Sequence, residues 1–425
     1  MIDKKLLAKV TEFLTNNPGA GRVLVMEKFK ITDYLAQALL RKIKKTLPKK
    51  ESWTAPDDLD TARQQLTNKR TTELRRDYHT LLTRVAAERE MIDQFREVAK
   101  EALDDKLIIR FAPPAPRQKS SFSKEHAVLV ISDSHIGKFV SPDRTLGFGD
   151  YSPAIFLDRL AFMRDAVTSL IEHHVANPIE ELHILFLGDL VEGMLNHSEE
   201  IPERMYAADQ VLLASLAFYQ LVASLAAVVP RVTCRGVVGN HGRWPSQKKM
   251  PTGGRYSNFD FVVMGQVQAL IDLAGPENAT FILEENPFQV FDIINWRFKV
   301  GHGDHLRGGD KAMGIPAHAI GREQNATTQR YAAKGVKPPD YYIVGDKHRA
   351  FAGPTATGRY LINGAFFQED EFSMAMNFSP CQPFQLFFGV HPQHGRSWSY
   401  DLSLTNAKPG SGSTFTLPKR LLEKI

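Results

Sequence analysis

Five short apolar runs along the chain, AVLVIS, LHILFL, VTCRGVV, FKV and YYIV, each read as a buried strand, and each ends on polar residues that an apolar core excludes. Those residues are Asp133, Ser134 and His135; Gly188 and Asp189; Gly239, Asn240 and His241; Gly301 and His302; and Gly345, Asp346, Lys347 and His348. Asp, Asn and His are poor strand residues, so their recurrence at strand ends is a pattern to explain. A side chain at the C-terminal end of a strand is held by rigid backbone while facing the crevice where α/β sheets place their chemistry. Singly, D-x-H or G-D after a strand is as readily a turn with an Asx hydrogen bond, and Gly239 with Asn240 a tight turn. In series they point to one ligand set.

The remaining pattern sets the organisation. The run 211–229 is apolar and long enough to cross a bilayer. It contains Gln220, follows Asp209 and Gln210, and leads through Pro230 into the strand before Gly239, so a buried helix is expected. Near the N-terminus, 6–14 reads as a helix stopped by Asn16, Asn17, Pro18 and Gly19; 22–29 reads as a second; Thr32 is a good N-cap for a third over 33–47. Residues 51–111 read as a helical connector, with Leu74, Tyr78, Leu81, Val85, Ile92, Phe95 and Ala99 forming one apolar stripe through which the chain could also pair with a second copy. Pro-rich 112–125 reads as a linker, 126–405 as the catalytic domain, and 406–425, with its GSGST segment, as a flexible tail. The β-like stretches 349–351, 360–363, 384–390 and 398–403 are expected to complete a second sheet.

Carboxylates, imidazoles and one amide, with no thiolate, suit Mn, Fe, Zn or Mg rather than a structural zinc cluster. Two such ions about 3.5–4 Å apart can hold a water as hydroxide and stabilise both oxygens of a displacement at phosphorus. The order D-x-H, G-D-x-x-E, G-N-H, a lone His and G-D-x-H resembles the calcineurin-like metallophosphoesterases over 127–404. That resemblance implies an α/β fold, a four-layer α/β/β/α sandwich of two mixed sheets flanked by helices. It further implies that Asp133, His135 and His348 bind the first ion, Asp189 bridges, and Asn240 and His302 bind the second. His241 would protonate the leaving oxygen, making His241, Asp189 and Asn240 the catalytic set, with Glu192 supporting the bridging region.

Two positions depart from the family pattern. Asp346 stands where the family has His; it can still ligate the second ion and would favour Mn or Mg, with His305 as a substitute if it points away. Gly242 stands where the family has Asp or Glu, so His241 needs another orienting group. D-S-H-I-G-K, with Gly137 and Lys138, is most similar to the SbcD-type DNA-repair exonuclease branch.

Charge and composition add a substrate. Among 425 residues there are two cysteines, Cys234 and Cys381, so no disulfide framework forms, and the N-terminal segment lacks the apolar core of a signal peptide; a cytoplasmic protein off the membrane is expected. Residues 1–50 carry net +8 of a chain whose total is +5, leaving −3 for the rest. Phe29, Lys30, Ile31 and Thr32 with the helix that follows resemble a helix-turn-helix. Asp33, Tyr34 and Gln37 would face bases and Arg41, Lys42, Lys44 and Lys45 would track phosphates, the alternatives being a solvated face or a protein-docking unit. The segment after His241 interleaves Arg243, Lys248, Lys249 and Arg255 with Trp244 and Tyr256, as a nucleic-acid groove does, and Arg243 is expected to touch the substrate phosphate. After His302, a Gly-rich segment with Arg307, Lys311, Arg322 and Arg330 is expected to hold only short helices. The resulting expectation is a phosphodiester hydrolase with two divalent ions, manganese foremost, acting on DNA as a nuclease. A phosphatase or small phosphodiesterase, or a DNA-binding adaptor with an inactive centre, are the alternatives.

Overall fold

Alternating strand and helix patterns build the part of the chain that carries the polar strand ends. The computed structural model describes residues 124–194, 205–244, 256–308, 314–378 and 380–425, with 9–13, 25, 28–30, 40, 71 and 76. The expected DNA-facing residues Tyr34, Gln37, Arg41, Lys42, Lys44 and Lys45, the connector stripe, and Lys248, Lys249, Arg255 and Lys311 lie outside the described residues. The chain divides into two compact units, Met1–Ala87 and Glu88–Ile425. In the first, 9–13, 25, 28 and 29 are helical, and Phe13 meets Phe29 edge-on with ring centroids 5.5 Å apart.

In the second unit, β1 (Glu125–Ile131), β2 (Ile179–Phe186), β3 (Val232–Gly236) and β4 (Ala279–Leu283) run parallel as neighbours. Helices α1 (Pro153–Ser169), α2 (Ala207–Ala226) and α3 (Phe259–Ala274) connect them in turn, the crossover that parallel strands require. Capping starts two of these helices: Ser152 accepts from the Ile155 amide and Asn258 from the Asp260 amide. α2 is the apolar run noted above; its most apolar window is 94% buried, making it a core helix. A second sheet has the order β5 (Phe288–Ile293), β6 (Trp296–Gly301), β7 (Tyr341–Val344), β9 (Arg359–Ile362), β8 (Phe351–Pro354). Its outer face, Tyr342, Val344, Tyr360 and Ile362, packs on Ala319 and Ile320 of α4 (Ala317–Ala333).

Burial divides β1 and β2 by alternation. Val128, Val130 and Leu185 meet Phe298 and Ile343 of the second sheet, while Leu129, Ile131, Ile184 and Phe186 face the helices. Two mixed sheets therefore pack face to face with helices outside each, the four-layer sandwich expected.

Three expectations need correction. The stretches 384–390 and 398–403 do not join the second sheet: β10 (Phe384–His391) pairs antiparallel with β1, and β11 (Gly395–Ser403) with β10, extending the first. β10 is buried throughout, with Phe387 toward the helices and Phe388 toward the other sheet, so it needs a place covered on both faces. The segment after His302 contains α4, 17 residues long; with three buried residues, Ala319, Ile320 and Thr327, its apolar signal in sequence is faint.

The expected flexible tail, 406–425, is packed. The Gly412 amide donates to Asp158 Oδ1 at 2.7 Å, and Gln220 exchanges two 2.8 Å bonds with the Thr416 backbone, which satisfies the polar residue inside α2. Arg420 and Lys424 both reach the buried Asp209 carboxylate, and Leu421 is fully buried. Leu421→Ala should destabilise this unit by about 2–5 kcal/mol, measured by urea denaturation. An unchanged midpoint would restore the flexible tail.

Candidate metal centre

All five polar segments converge at the C-terminal ends of strands from both sheets. Asp133 and His135 follow β1, Asp189 follows β2, and Asn240 and His241 follow β3; His302 follows β6, and Asp346 and His348 follow β7. Backbone bonds sew the loops together: Asp133 N to Gly188 O and His135 N to Asp189 O, both 3.0 Å, and Gly345 N to His302 O, 2.7 Å. Asp133, His135, Asp189, Asp346 and His348 have φ between 42° and 62°, five of the nine non-glycine residues with positive φ among the described residues. Such left-handed backbone costs about 1–3 kcal/mol per residue and concentrates where surroundings enforce it for function.

The side chains form two adjoining clusters that share Asp133: one with His135 and His348, the other with Asp189 and His302. His348 Nε2 is 3.3 Å from Asp133 Oδ1. Asp189 Oδ1 accepts the His241 amide at 2.7 Å, which turns Oδ2 toward His302 Nε2 at 3.1 Å and His135 Nε2 at 3.9 Å. His302 Nε2 also lies 3.3 Å from Asn240 Oδ1 and 3.5 Å from Asp346 Oδ1, so Asp346 points into the second cluster. Its other oxygen is 2.5 Å from Lys347 Nζ. His305 instead lies 3.4 Å from Glu323 and takes no part.

Hydrogen bonds orient both imidazoles. His302 donates Nδ1–H to Leu187 O and His135 donates Nδ1–H to Glu192 Oε2, each at 2.7 Å, which aims both Nε2 atoms into the cluster. His135 Nε2 is buried with no hydrogen-bond partner, an orphan that a divalent ion satisfies. Opposite charges pair within the cluster. Burial would raise the Asp189 carboxyl, but the His302 and His241 imidazoles hold it well below its ordinary range. Burial would lower His302, yet the Asp189 charge lifts it well above its ordinary value. The residues fit two divalent ions: Asp133, His135 and His348 at one, His302, Asn240 and Asp346 at the other, and Asp189 between.

His241 stands beside the ligands. Its ring is 4.5 Å from that of His135, and its Nδ1 is 3.5 Å from Glu192 Oε2. Burial opposes its charge, but Asp189 and Glu192 push it up to about 9. Glu192 thus supplies the orienting carboxylate that the sequence lacks at 242. A Cβ at Gly242 would come 2.3 Å from Asn258 Oδ1 and 3.0 Å from Asp260 Oδ1, so an acidic side chain has no room there.

Two roles escaped the sequence reading. Asp260, wholly buried, accepts four amides: Asp189 (2.9 Å) and Gly239 (2.8 Å) at Oδ2, Leu190 (3.0 Å) and Val191 (3.3 Å) at Oδ1. In sequence, S-N-F-D before an apolar run signals only a helix cap. Lys138 is buried between Asp370, 2.7 Å away, and Glu192, 3.8 Å away; no local pattern joins those three residues. Arg243, expected to meet phosphate, donates to the Asn240 carbonyl at 2.8 Å and so braces the ligand loop.

No family model matches the chain, and no curated protein matches it. Among solved structures it is similar to an archaeal phosphodiesterase at 12% identity, covering 65% of this chain and 99% of that one, TM-score 0.29. It is similar to a hypothetical protein from Pyrococcus horikoshii at 13%, covering 71% and 96%, TM-score 0.35. It is also similar to a predicted phosphoesterase from Streptococcus pneumoniae at 11%, covering 66% and 98%, TM-score 0.22.

Asp260→Asn keeps one acceptor and turns an NH2 group on the remaining amides. Unmatched buried donors cost about 1–3 kcal/mol each, so the variant should lose roughly 2–5 kcal/mol and bind fewer metal ions per chain. Denaturation together with elemental analysis checks this; unchanged stability and metal content would contradict it.

Proposed function

We propose that this chain hydrolyses phosphodiester bonds through a dinuclear metal centre, with DNA as substrate and manganese as the preferred ion. The observation that carries the reading is the pair of adjoining ligand clusters with Asp189 Oδ2 between them and a non-ligand imidazole, His241, alongside. Two divalent ions there supply Lewis-acid charge for the phosphoryl oxygens and lower the pKa of water. The chain's own residues do the rest. Asp133, Asp189 and Asp346 bring negative charge from three strand ends, and His135, His302 and His348 present nitrogens. Glu192 orients His135 through a hydrogen bond and His241 through a 3.5 Å ion pair, holding the latter to deliver a proton to the departing oxygen. Asp346, an anionic oxygen where an imidazole would otherwise stand, supports a harder ion than zinc.

The nucleic-acid substrate is supported by charge. The net +8 of residues 1–50 suits a long polyanion, and the helix-turn-helix resemblance of 29–47 suits DNA. Arg243 gives Nη1 to the Asn240 carbonyl, which holds it beside the ligand loop, and its guanidinium has further N–H donors for a substrate phosphate.

Digestion of plasmid and single-stranded DNA with Mn2+ tests the proposal. Wild type should cut, and His241→Ala should slow turnover by about 10²–10⁴-fold while metal content and DNA binding persist. Hydrolysis of p-nitrophenyl phosphate without cleavage of any nucleic acid would replace the nuclease with a phosphatase. DNA binding with no ester hydrolysed would leave an adaptor.

A further inference from the structure

At the opposite end of the same strands, a second kind of ligand set has formed. His126 on β1 and Glu181 on β2 are register partners in parallel strands, and His183 lies two residues after Glu181, so all three project from one face. It is the face that carries Val128, Val130 and Leu185 toward the other sheet. They sit near the N-terminal ends of β1 and β2, whereas Asp133 and Asp189 follow the C-terminal ends.

The three offer ligand atoms that converge. His126 Nδ1 is 3.1 Å from His183 Nε2, with the rings stacked at 5.3 Å. Glu181 Oε1 is 3.7 Å from His183 Nε2, and Oε2 is 3.9 Å from His126 Nδ1. Zinc–nitrogen bonds of about 2.0–2.1 Å in a tetrahedral site place two imidazole nitrogens roughly 3.4 Å apart, so small rotations admit an ion.

The carboxylate is already braced. Arg231 brings Nε and Nη2 to Oε2, both at 2.7 Å, and Thr233 donates to Oε1 at 2.6 Å. Oε1 keeps a lone pair facing the imidazoles, and its hydroxyl partner is the kind of outer support that metal-bound carboxylates have. Burial, chiefly, holds both rings neutral, with His126 below its ordinary value and His183 pushed down to about 3, the form that ligates. Side-chain exposures of 15%, 11% and 7% for His126, Glu181 and His183 leave a path from solvent and room for water as a fourth ligand. Arg231 offsets the Glu181 charge and Arg235 adds to it, so a hard ion that depends on carboxylate charge gains little here. An ion that bonds well to nitrogen gains more.

We propose that His126, His183 and Glu181 form a mononuclear site for zinc-class ions, separate from the dinuclear centre, that ties the N-terminal ends of β1 and β2. The competing account is a hydrogen-bonded imidazole pair above an Arg–Glu ion pair with no affinity for metal.

The full chain, equilibrated with Zn2+ and freed of excess by gel filtration, should hold one more zinc than His126→Gln when both have the same circular dichroism. Thr233→Val removes only the bond that orients Oε1 and should weaken that zinc about tenfold. In an Asp189→Ala background, which disables the other centre, Zn2+ should still raise Tm, and adding His126→Gln should abolish the rise. Equal zinc content in wild type and folded His126→Gln, or a Tm rise that survives in the double variant, would overturn the proposal.

Discussion

The candidate metal centre depends on one buried carboxylate outside its ligand clusters. Asp260, at the first turn of α3, takes the amides of Asp189, Leu190, Val191 and Gly239, and so clamps the loop after β2 to the loop after β3. The amides of Asp189, Leu190 and Val191 lie at the left-handed turn that aims Asp189 inward and that of Gly239 in the facing loop, and burying such donors unpaired would cost about 1–3 kcal/mol each. Burial, then the nearby Asp189 charge, push the Asp260 carboxyl up to about 6, which the Gly239 and Val191 amides partly offset. The clamp also demands close approach. Gly188 has φ 85°, and a Cβ there would lie 2.3 Å from the Gly239 amide nitrogen.

The second requirement is that two sheets dock. The first sheet delivers Asp133, His135, Asp189 and Asn240, and the second delivers His302, Asp346 and His348. Docking completes both ligand clusters, since His348 joins the group around Asp133 and His302 the group around Asp189. The inter-sheet core of Val130, Leu187, Phe298, Val300 and Ile343 is thus what sets ligand separation. Interiors packed at crystal-like density pass small volume changes on as displacement, so substitutions in that seam will be felt at the ligands.

The residues that cluster at the candidate centre were legible in sequence because they follow a local rule: polar, metal-capable side chains directly after apolar strands. The layer architecture was legible with them, through strand and helix periodicity and the family resemblance. What sequence hid was non-local. β10 chooses β1 as neighbour because Phe387 and Phe388 both need cover, a choice that no window of residues reveals. The clamp made by Asp260, the partner of Gln220 inside its apolar helix and the packing of 406–425 stayed hidden, because the partner of each lies tens to hundreds of residues away. Asp346 and Gly242, the two irregular positions, have local answers only in three dimensions: one faces His302, and the other is packed against Asn258 and Asp260 while Glu192 does the orienting.

The most direct measurement is anomalous X-ray diffraction from crystals grown with Mn2+. The account predicts two peaks about 3.5–4 Å apart, flanking Asp189 Oδ2, one within bonding distance of Asp133, His135 and His348 and the other of His302 and Asn240. A single peak, or density at neither cluster with Mn2+ present, would contradict it.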